Sequence, residues 1–314
     1  MGEHRPTTTG RFSIGGWTGP VQAAFWMVSG AAVFATMNGF VRYTADLGMH
    51  PFQIAFLRSI FALPFVLPFL WKDGLSGLKT QRPVLYLFRG TIGALALLSF
   101  IYAISYAPLA QVTATTFAAP LFATAGSALF LRESVRLRRW SAVLVGFAGV
   151  LIIVQPGTGA MDTGTLAAVA AACFFAASAL MVKALTGTDP VKRIVFWTTL
   201  MMSIGTLPAA ALVWTEMTWQ FLGLGVVLGA FGMAGQASLA KAFEAADASV
   251  VMPLDYVRLP FAALVGWVAF SEPVEPMTWL GAAVIVGSAL YITRRESRLN
   301  KPPTVSTDPT RPAH

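Results

Sequence analysis

Two ten-residue stretches, 139 positions apart, are similar in sequence but opposite in charge. Residues 131–140 read LRESVRLRRW and residues 270–279 read FSEPVEPMTW, with glutamate, valine and tryptophan at the same places. The first stretch has a formal charge of +3 and the second has −2. Basic loops of membrane proteins stay in the cytoplasm, so the pattern predicts one such loop inside and its copy outside. An inverted repeat of this kind is characteristic of transporters.

The composition indicates a lipid environment. Of the 314 residues, 56% are hydrophobic and 11% are charged, whereas soluble domains have about 25% charged residues. The net charge is +8, and the basic residues lie in short loops between apolar segments. This distribution indicates membrane topology rather than nucleic-acid binding. The single cysteine, Cys173, excludes a disulfide framework or a thiolate metal site.

Apolar segments long enough to cross the bilayer, which takes about 20 residues each, recur along the chain. We predict an all-α integral membrane protein of ten transmembrane helices, built as two inverted five-helix repeats over residues 21–156 and 164–293. The ends, 1–20 and 294–314, are polar and are expected to be disordered and cytoplasmic. The predicted spans are 21–43, 51–71, 84–106, 109–131, 140–156, 164–185, 191–214, 219–240, 246–270 and 276–293.

The basic residues predict the orientation. With the N-terminus inside, 18 of the 22 lysines and arginines fall in cytoplasmic segments. The outer loops contain no lysine or arginine, and several of them contain aspartate or glutamate. This bias places both termini in the cytoplasm of a multi-pass protein of the bacterial inner membrane. The other four bases lie within or at the edges of spans: Arg42, Arg58, Arg89 and Arg258.

A charged pair in the ninth span is the strongest candidate site. Asp255 and Arg258 are three residues apart, so they share a helical face. Pro253 and Pro260 flank them and remove backbone donors. Charges within a span are costly and tend to be functional, so the pair is a candidate substrate site or proton-coupling carboxylate. The alternative is a structural ion pair that fixes the ninth span to a neighbour.

Further polar and aromatic residues in the spans are candidate cavity residues. Arg58 could meet an anionic group such as a substrate carboxylate, while we expect Arg89 to extend to the cytoplasmic edge. Thr116 matches Asp255 after the 139-residue offset, which would bring both near the midplane. Hydroxyls in spans also join helices without binding ligand. The remaining candidates are Asn38, Gln111, Thr115, Tyr256, Gln236 and Tyr102.

Enzyme motifs are absent from the sequence. The three histidines lie in the tails or in a loop, and no nucleotide-binding, zinc-protease or serine-hydrolase motif occurs. We therefore expect a secondary carrier for a small-molecule substrate in the lipid bilayer, as a monomer or homodimer. Protons are a candidate coupling ion, and no cofactor, metal or nucleic acid is expected. An intramembrane enzyme acting on lipid and a non-transporting scaffold are the alternatives from other classes.

Several motifs resemble a known repeat. Residues 102–110 (YAISYAPLA), 119–122 (APLF), 131–133 (LRE) and 146–150 (GFAGV) are similar to the EamA repeat of the drug/metabolite transporter superfamily, and 245–249 with Glu272, Trp279 and Gly281 resemble a second copy. The resemblance implies a ten-helix basket with a central cavity, alternating access, and transport of amino acids, S-adenosylmethionine, riboflavin or other metabolites.

A more particular likeness is carried by a second set of segments. Residues 37–42, 51–58, 253–256 and 264–266 resemble the branch of S-adenosylmethionine-uptake carriers. Asn38 departs from that pattern, because an acidic residue is common at its position in the branch.

Overall fold

The structure, a computed structural model, describes residues 19–67, 80, 82–130, 137–155, 162–186, 189, 191–246, 251 and 254–299. This part of the chain is helical and has no strands. The expected disorder of residues 1–18 and 300–314 lies outside the described residues. Residues 294–299 differ from the prediction, because the last helix continues through them. Arginine, glutamate and leucine are strong helix formers, and they extend the helix beyond its apolar part.

Twelve α-helices and one 3₁₀ turn, at Asp255–Val257, make up the described chain. The helices are α1 Gly19–Asp46, α2 Pro51–Ile60, α3 Leu63–Val66, α4 Pro83–Tyr106, α5 Leu109–Thr116, α6 Ala119–Phe130, α7 Leu137–Val154, α8 Thr163–Thr186, α9 Val191–Leu212, α10 Trp219–Ala245, α11 Arg258–Phe270 and α12 Pro276–Leu299. Five of them, α1, α4, α8, α9 and α10, contain stretches long and apolar enough to cross a membrane. Shorter apolar helical stretches cover 51–66, 140–154 and 276–288.

Proline explains why three predicted spans are interrupted. A proline has no N–H, so it cannot bond to the carbonyl four residues earlier. The helix α2 ends at Ile60, four residues before Pro64, and α5 ends at Thr116, four residues before Pro120. In the ninth predicted span, Pro260 likewise cannot donate to the carbonyl of Tyr256, and the 3₁₀ turn interrupts the helix there. The second, fourth and ninth predicted spans are therefore broken helices. We predicted the second and fourth as uninterrupted spans, whereas the prolines beside Asp255 and Arg258 had already indicated a loosened ninth helix.

The two halves share the same offset in structure as in sequence. Helix α6 begins at Ala119 and α11 begins at Arg258, while α7 begins at Leu137 and α12 begins at Pro276. Each of these pairs is separated by the offset of the sequence repeat. The break in the fourth span aligns with the 3₁₀ turn in the ninth. The break of the fourth predicted span and the helix starts after it thus recur in the second half, whereas the break after α2 does not, because α9 is continuous.

Helix packing between the halves follows an exchange pattern. Helix α1 of the first half corresponds to α8 of the second, and α4 corresponds to α10. Helix α1 packs on α10, and α4 likewise packs on α8. The pair α7–α12 joins helices that correspond to each other, and the pair α5–α11 joins the fourth predicted span to the corresponding ninth. Each half therefore contacts the other in the same way, as expected for two copies related by a two-fold axis.

Glycine allows a close approach between the halves at the break after α2. A Cβ atom added at Gly229 of α10 would lie 2.6 Å from the carbonyl carbon of Phe61 and 2.7 Å from its oxygen. Phe61 forms the turn after α2, so α10 packs directly on the backbone of this break. Small residues serve this purpose in membrane helices, where tight packing replaces the hydrophobic effect.

We expect Gly229→Ala to lower the midpoint of thermal unfolding in detergent, because the new methyl group meets backbone that cannot rotate away. Overpacking of this kind costs about 1–3 kcal/mol. The matched control is Gly223→Ala on the same helix, where an added Cβ has open space, and alanine favours the helix. Equal midpoints for the two variants would contradict the proposed contact.

Candidate functional site

Asp255 and Arg258 form an ion pair at the start of α11. An Nη2 atom of Arg258 contacts Oδ1 of Asp255, and both side chains are 32% exposed. The Arg258 guanidinium also lies over the ring of Phe34 in α1, 5.0 Å from the ring centre. The proline-induced 3₁₀ turn places the carboxylate on the same side as the arginine. The pair therefore joins the second half to the first helix of the chain.

The pair borders a crevice between α1 and α10. The crevice is lined by Met27, Gly30, Ala31, Phe34, Gly235 and Leu239, together with the ion pair. Its volume of about 10 Å³ is roughly that of one water molecule. Small-molecule sites usually have several hundred cubic ångströms. The structure therefore represents a conformation in which this seam is closed.

Arg58 and Asn38 lie along the same seam. A Cβ atom added at Gly232 of α10 would lie 3.6 Å from Nε of Arg58 and 3.7 Å from the Met37 sulfur. Asn38 is buried, one turn after Phe34 on the same face of α1. Its Oδ1 atom has no donor among the described residues. The structure thus brings Arg58, Asn38, Asp255 and Arg258 to one helix–helix seam.

Tyr256 and the hydroxyls of α5 lie where the broken helices meet. The ring of Tyr256 packs edge-on against Phe117 at a centroid distance of 5.0 Å, and these two residues are related by the offset of the repeat. Thr115 and Thr116 donate hydrogen bonds to carbonyls of their own helix, those of Gln111 and Thr113. These hydroxyls are therefore occupied within their own helix.

The other candidates lie apart from the seam. Gln111 donates from Nε2 to the Thr165 hydroxyl of α8 at 2.9 Å. Tyr102 donates to the Thr163 hydroxyl at 3.3 Å, near the end of α4. Gln236 is exposed on α10, although its neighbour Gly235 lines the crevice. Gln111 and Tyr102 thus join α8 to the first half.

Arg89 does not reach the membrane edge as we predicted. Its Nε and Nη1 atoms are buried without a hydrogen-bond partner in the described structure. The side chain follows α4 towards Gly93, where Nη1 and Met202 of α9 border the same space. It therefore points away from the start of α4 and into the α4–α9 contact, because Gly93 leaves room for it there.

Sequence reasoning missed a cluster that joins the halves at one end. Nη2 of Arg42 lies 3.3 Å from Oε1 of Glu272, with side chains 21% and 14% exposed. Arg42 also donates to the carbonyls of Ile104 and Ala107, and Glu272 accepts from the Leu109 N–H that begins α5. We call this the Glu272 cluster. The signal was an arginine at the edge of the first span and a glutamate conspicuous in the repeat, but the two lie near opposite ends of the chain.

A second cluster joins the halves at the other end. The Asp189 carboxylate, between α8 and α9, accepts hydrogen bonds from Thr80 at 3.0 Å and Tyr86 at 3.1 Å, and pairs with Arg193. We call this the Asp189 cluster. Tyr86 and Ile104 are eighteen residues apart on α4, about 27 Å at 1.5 Å per residue. The two clusters therefore lie at opposite ends of the helical bundle, with the seam between them.

No group of three metal-ligating side chains converges within the part of the chain that the structure describes. The geometry instead consists of a polar seam between two similar halves, with an inter-half cluster at each end. The helices that form this arrangement are mostly apolar. These features define the class: a multi-pass helical membrane protein whose halves meet around partly buried charge, as in transporters.

The chain belongs to the EamA-like transporter family, whose model matches residues 21–155 and 162–294. It is 34% identical to a riboflavin transporter of Vibrio cholerae serotype O1, over 90% of this chain and 96% of that protein. It is 30% identical to an S-adenosylmethionine uptake transporter of Rickettsia felis, over 80% and 85%. A pseudopaline exporter of Pseudomonas aeruginosa is 28% identical, over 83% and 92%.

A solved crystal structure shares the fold with a TM-score of 0.55 and 18% identity, over 90% of this chain and 99% of the other. The family and these relatives identify the chain as a transporter of the drug/metabolite superfamily that acts on a small molecule, in a bacterial inner membrane.

We expect Asp189→Asn to lower the thermal midpoint at pH 7 and to lose its effect in acid. Burial alone would raise the pKa of Asp189, but hydrogen bonds from Arg193, Thr80 and Tyr86 lower it below the usual value. A lowered pKa stabilises the fold above the unfolded value of about 3.9, and the stabilisation is lost as pH falls through the folded pKa. Thermal midpoints measured from pH 7 down to about pH 2.5 should therefore converge, and chiefly below about pH 4.

The control is Glu216→Gln, an exposed carboxylate in the loop before α10. Its midpoint should follow that of the unmodified protein at every pH. A difference between Asp189→Asn and the unmodified protein that does not shrink between pH 5 and about pH 2.5 would contradict an ionised, hydrogen-bonded Asp189.

Proposed function

We propose that the protein is a secondary transporter that moves a small polar metabolite across the inner membrane by alternating access. One observation carries the proposal: the partly buried ion pair Asp255–Arg258, with Arg58 and Asn38, lies at the seam between two similar halves. Carriers built from inverted repeats bind their ligand at such a seam near the midplane. Intramembrane charges at this position are expected to serve transport.

The proposed architecture is ten spans in two inverted five-span repeats, with both termini in the cytoplasm. Each half would contain one long broken helix next to the axis, the fourth and the ninth spans. The loop with Glu272 and Glu275 would then be outside, since acidic loops face outward and basic loops face the cytoplasm. The Glu272 cluster accordingly closes the outer end of the seam, and the Asp189 cluster closes the cytoplasmic end.

Alternating access follows from this arrangement. The seam as it stands has room for about one water molecule, so a metabolite enters only after the halves separate at one end. Rupture of the Arg42–Glu272 pair would open the outer end, while the Asp189 cluster keeps the cytoplasmic end shut. Closure of the outer end and opening of the cytoplasmic end would then release the solute on the other side.

The relatives supply candidate substrates. Riboflavin is the first, because the riboflavin transporter of Vibrio cholerae aligns over nearly its whole length. S-adenosylmethionine is the alternative, through the Rickettsia felis carrier. Asp255 is the candidate coupling carboxylate for protons, since it is the acidic residue at the seam. An intramembrane enzyme or a scaffold would show no solute uptake.

We expect Asp255→Asn to abolish or greatly slow uptake into proteoliposomes, although the protein still inserts. The change removes the charge that holds Arg258 and any proton that the carboxylate carries. Initial uptake rates of radiolabelled riboflavin and S-adenosylmethionine, measured with and without a pH gradient, test this. Glu275→Gln, an exposed carboxylate outside the seam, should transport normally. Unchanged rates and pH dependence for Asp255→Asn would remove Asp255 from the mechanism.

The inverted repeat predicts opposite accessibility for two matched loops. In a Cys173→Ser background, cysteines introduced as Arg136→Cys and Glu275→Cys occupy corresponding positions of the two repeats. A membrane-impermeant maleimide added to intact cells should label position 275, and label position 136 only after the membrane is opened. Labelling of both positions from the same side would refute the inverted architecture.

A further inference from the structure

Arg58 differs from the arginines that join the halves. Arg42 donates hydrogen bonds to two carbonyls and pairs with Glu272. Arg258 pairs with Asp255 and lies over the Phe34 ring. The Arg58 side chain has no ion pair or hydrogen bond among the residues that the structure describes. Its neighbours at the seam are Gly232 and the buried Met37. Arg58 is partly exposed, and its guanidinium has no acceptor among the residues that the structure describes.

The formal charge of the seam is therefore not balanced. Arg58, Arg258 and Asp255 sum to +1, and Asp255 is already engaged by Arg258. A partly buried cation without a partner lowers the stability of the protein that contains it. Proteins retain such groups where a ligand completes them, at a cost in stability. Arg89 also has no partner within the described chain, but it lies in the α4–α9 contact rather than on the seam between α1 and α10.

Asn38 adds a complementary feature. Its buried Oδ1 atom accepts no hydrogen bond from described residues, and it faces the same side of α1 as Phe34. Arg58, beside Gly232 of α10, thus supplies a donor fork, and Asn38, on the Phe34 face of α1, supplies an acceptor that no described residue engages. A ligand that satisfies both has acceptor oxygens next to an N–H.

We propose that the seam binds an uncharged or anionic ligand through an edge of this kind, such as the imide edge of a fused ring, and that Arg58 is its principal recognition residue. The excess positive charge opposes a ligand with net positive charge, such as a sulfonium compound. This inference rests on the proposed transport function and specifies the substrate class of the same site. It favours riboflavin, which has an imide edge and no charge, over S-adenosylmethionine.

The first test needs no ligand. Removal of an uncompensated cation should stabilise the empty protein, so Arg58→Met should raise the thermal midpoint of the purified full-length protein. Asn38→Asp should also raise it, by supplying a counter-charge at the seam. The matched control is Arg42→Met, which leaves Glu272 without its arginine and should lower the midpoint. A purely structural Arg58 would behave like Arg42, and that result would overturn the proposal.

The second test uses riboflavin and S-adenosylmethionine as probes. Riboflavin should raise the midpoint of the unmodified protein by mass action, whereas S-adenosylmethionine should not. In Arg58→Met the affinity for riboflavin should fall about tenfold to a hundredfold, the usual effect of losing hydrogen bonds to a charged group. Lys241→Gln, which removes an exposed cation of α10 that contacts Trp26, should bind riboflavin normally.

Three outcomes contradict the proposal: riboflavin fails to protect the unmodified protein, it protects Arg58→Met equally, or S-adenosylmethionine protects at least as well. Uptake measurements separate this failure from failure of the proposed function. Normal uptake by Arg58→Met together with loss of uptake by Asp255→Asn would refute only the role of Arg58. Absence of uptake of either solute by the unmodified protein would count against transport itself.

Discussion

The structure depends on the cost of leaving a charge unpaired away from water. Lipid offers no hydrogen bonds, so a charge in the interior is stabilised by a partner on another helix or at a helix end. Arg42 finds the last carbonyls of α4 and the carboxylate of Glu272, and Arg258 finds Asp255. Because the Arg42 partners come from both halves, the need to neutralise this arginine also holds the two halves together.

Broken helices place the polar groups at the seam. An intact helix bonds every interior N–H and C=O along its own axis, and a proline opens one of these bonds. Pro120 and Pro260 do this within one residue of corresponding positions in the two halves, near the point where Phe117 and Tyr256 meet. The freed backbone lies inside the protein, next to the seam, which is where such breaks are tolerated in a membrane.

The sequence allowed the repeat and its offset to be predicted, because glutamate, valine and tryptophan mark both copies. The Asp255–Arg258 pair was predictable from its spacing on one helical face. Hydropathy could not reveal the interruptions after Ile60 and Thr116, because the residues around them are apolar whether or not the helix continues. The Glu272 cluster was not predictable, since its ion pair joins the first span to a loop near the end of the chain. The direction of the Arg89 side chain could not be predicted either. It depends on the space beside Gly93, which is bordered by Met202 of α9.

The two end clusters differ in what their separation would cost. At the Glu272 cluster, Arg42 and the Leu109 N–H belong to the first half, and Glu272 belongs to the second. Separation there breaks an ion pair and uncaps α5, although Arg42 keeps its carbonyls. At the Asp189 cluster the ion pair with Arg193 lies within the second half, so separation breaks only the hydrogen bonds from Thr80 and Tyr86. Asp189 would keep its cation, whereas Glu272 would lose its own. In the proposed cycle the Asp189 end therefore opens more readily from this conformation, and the outer end requires an additional driving force such as ligand or proton binding.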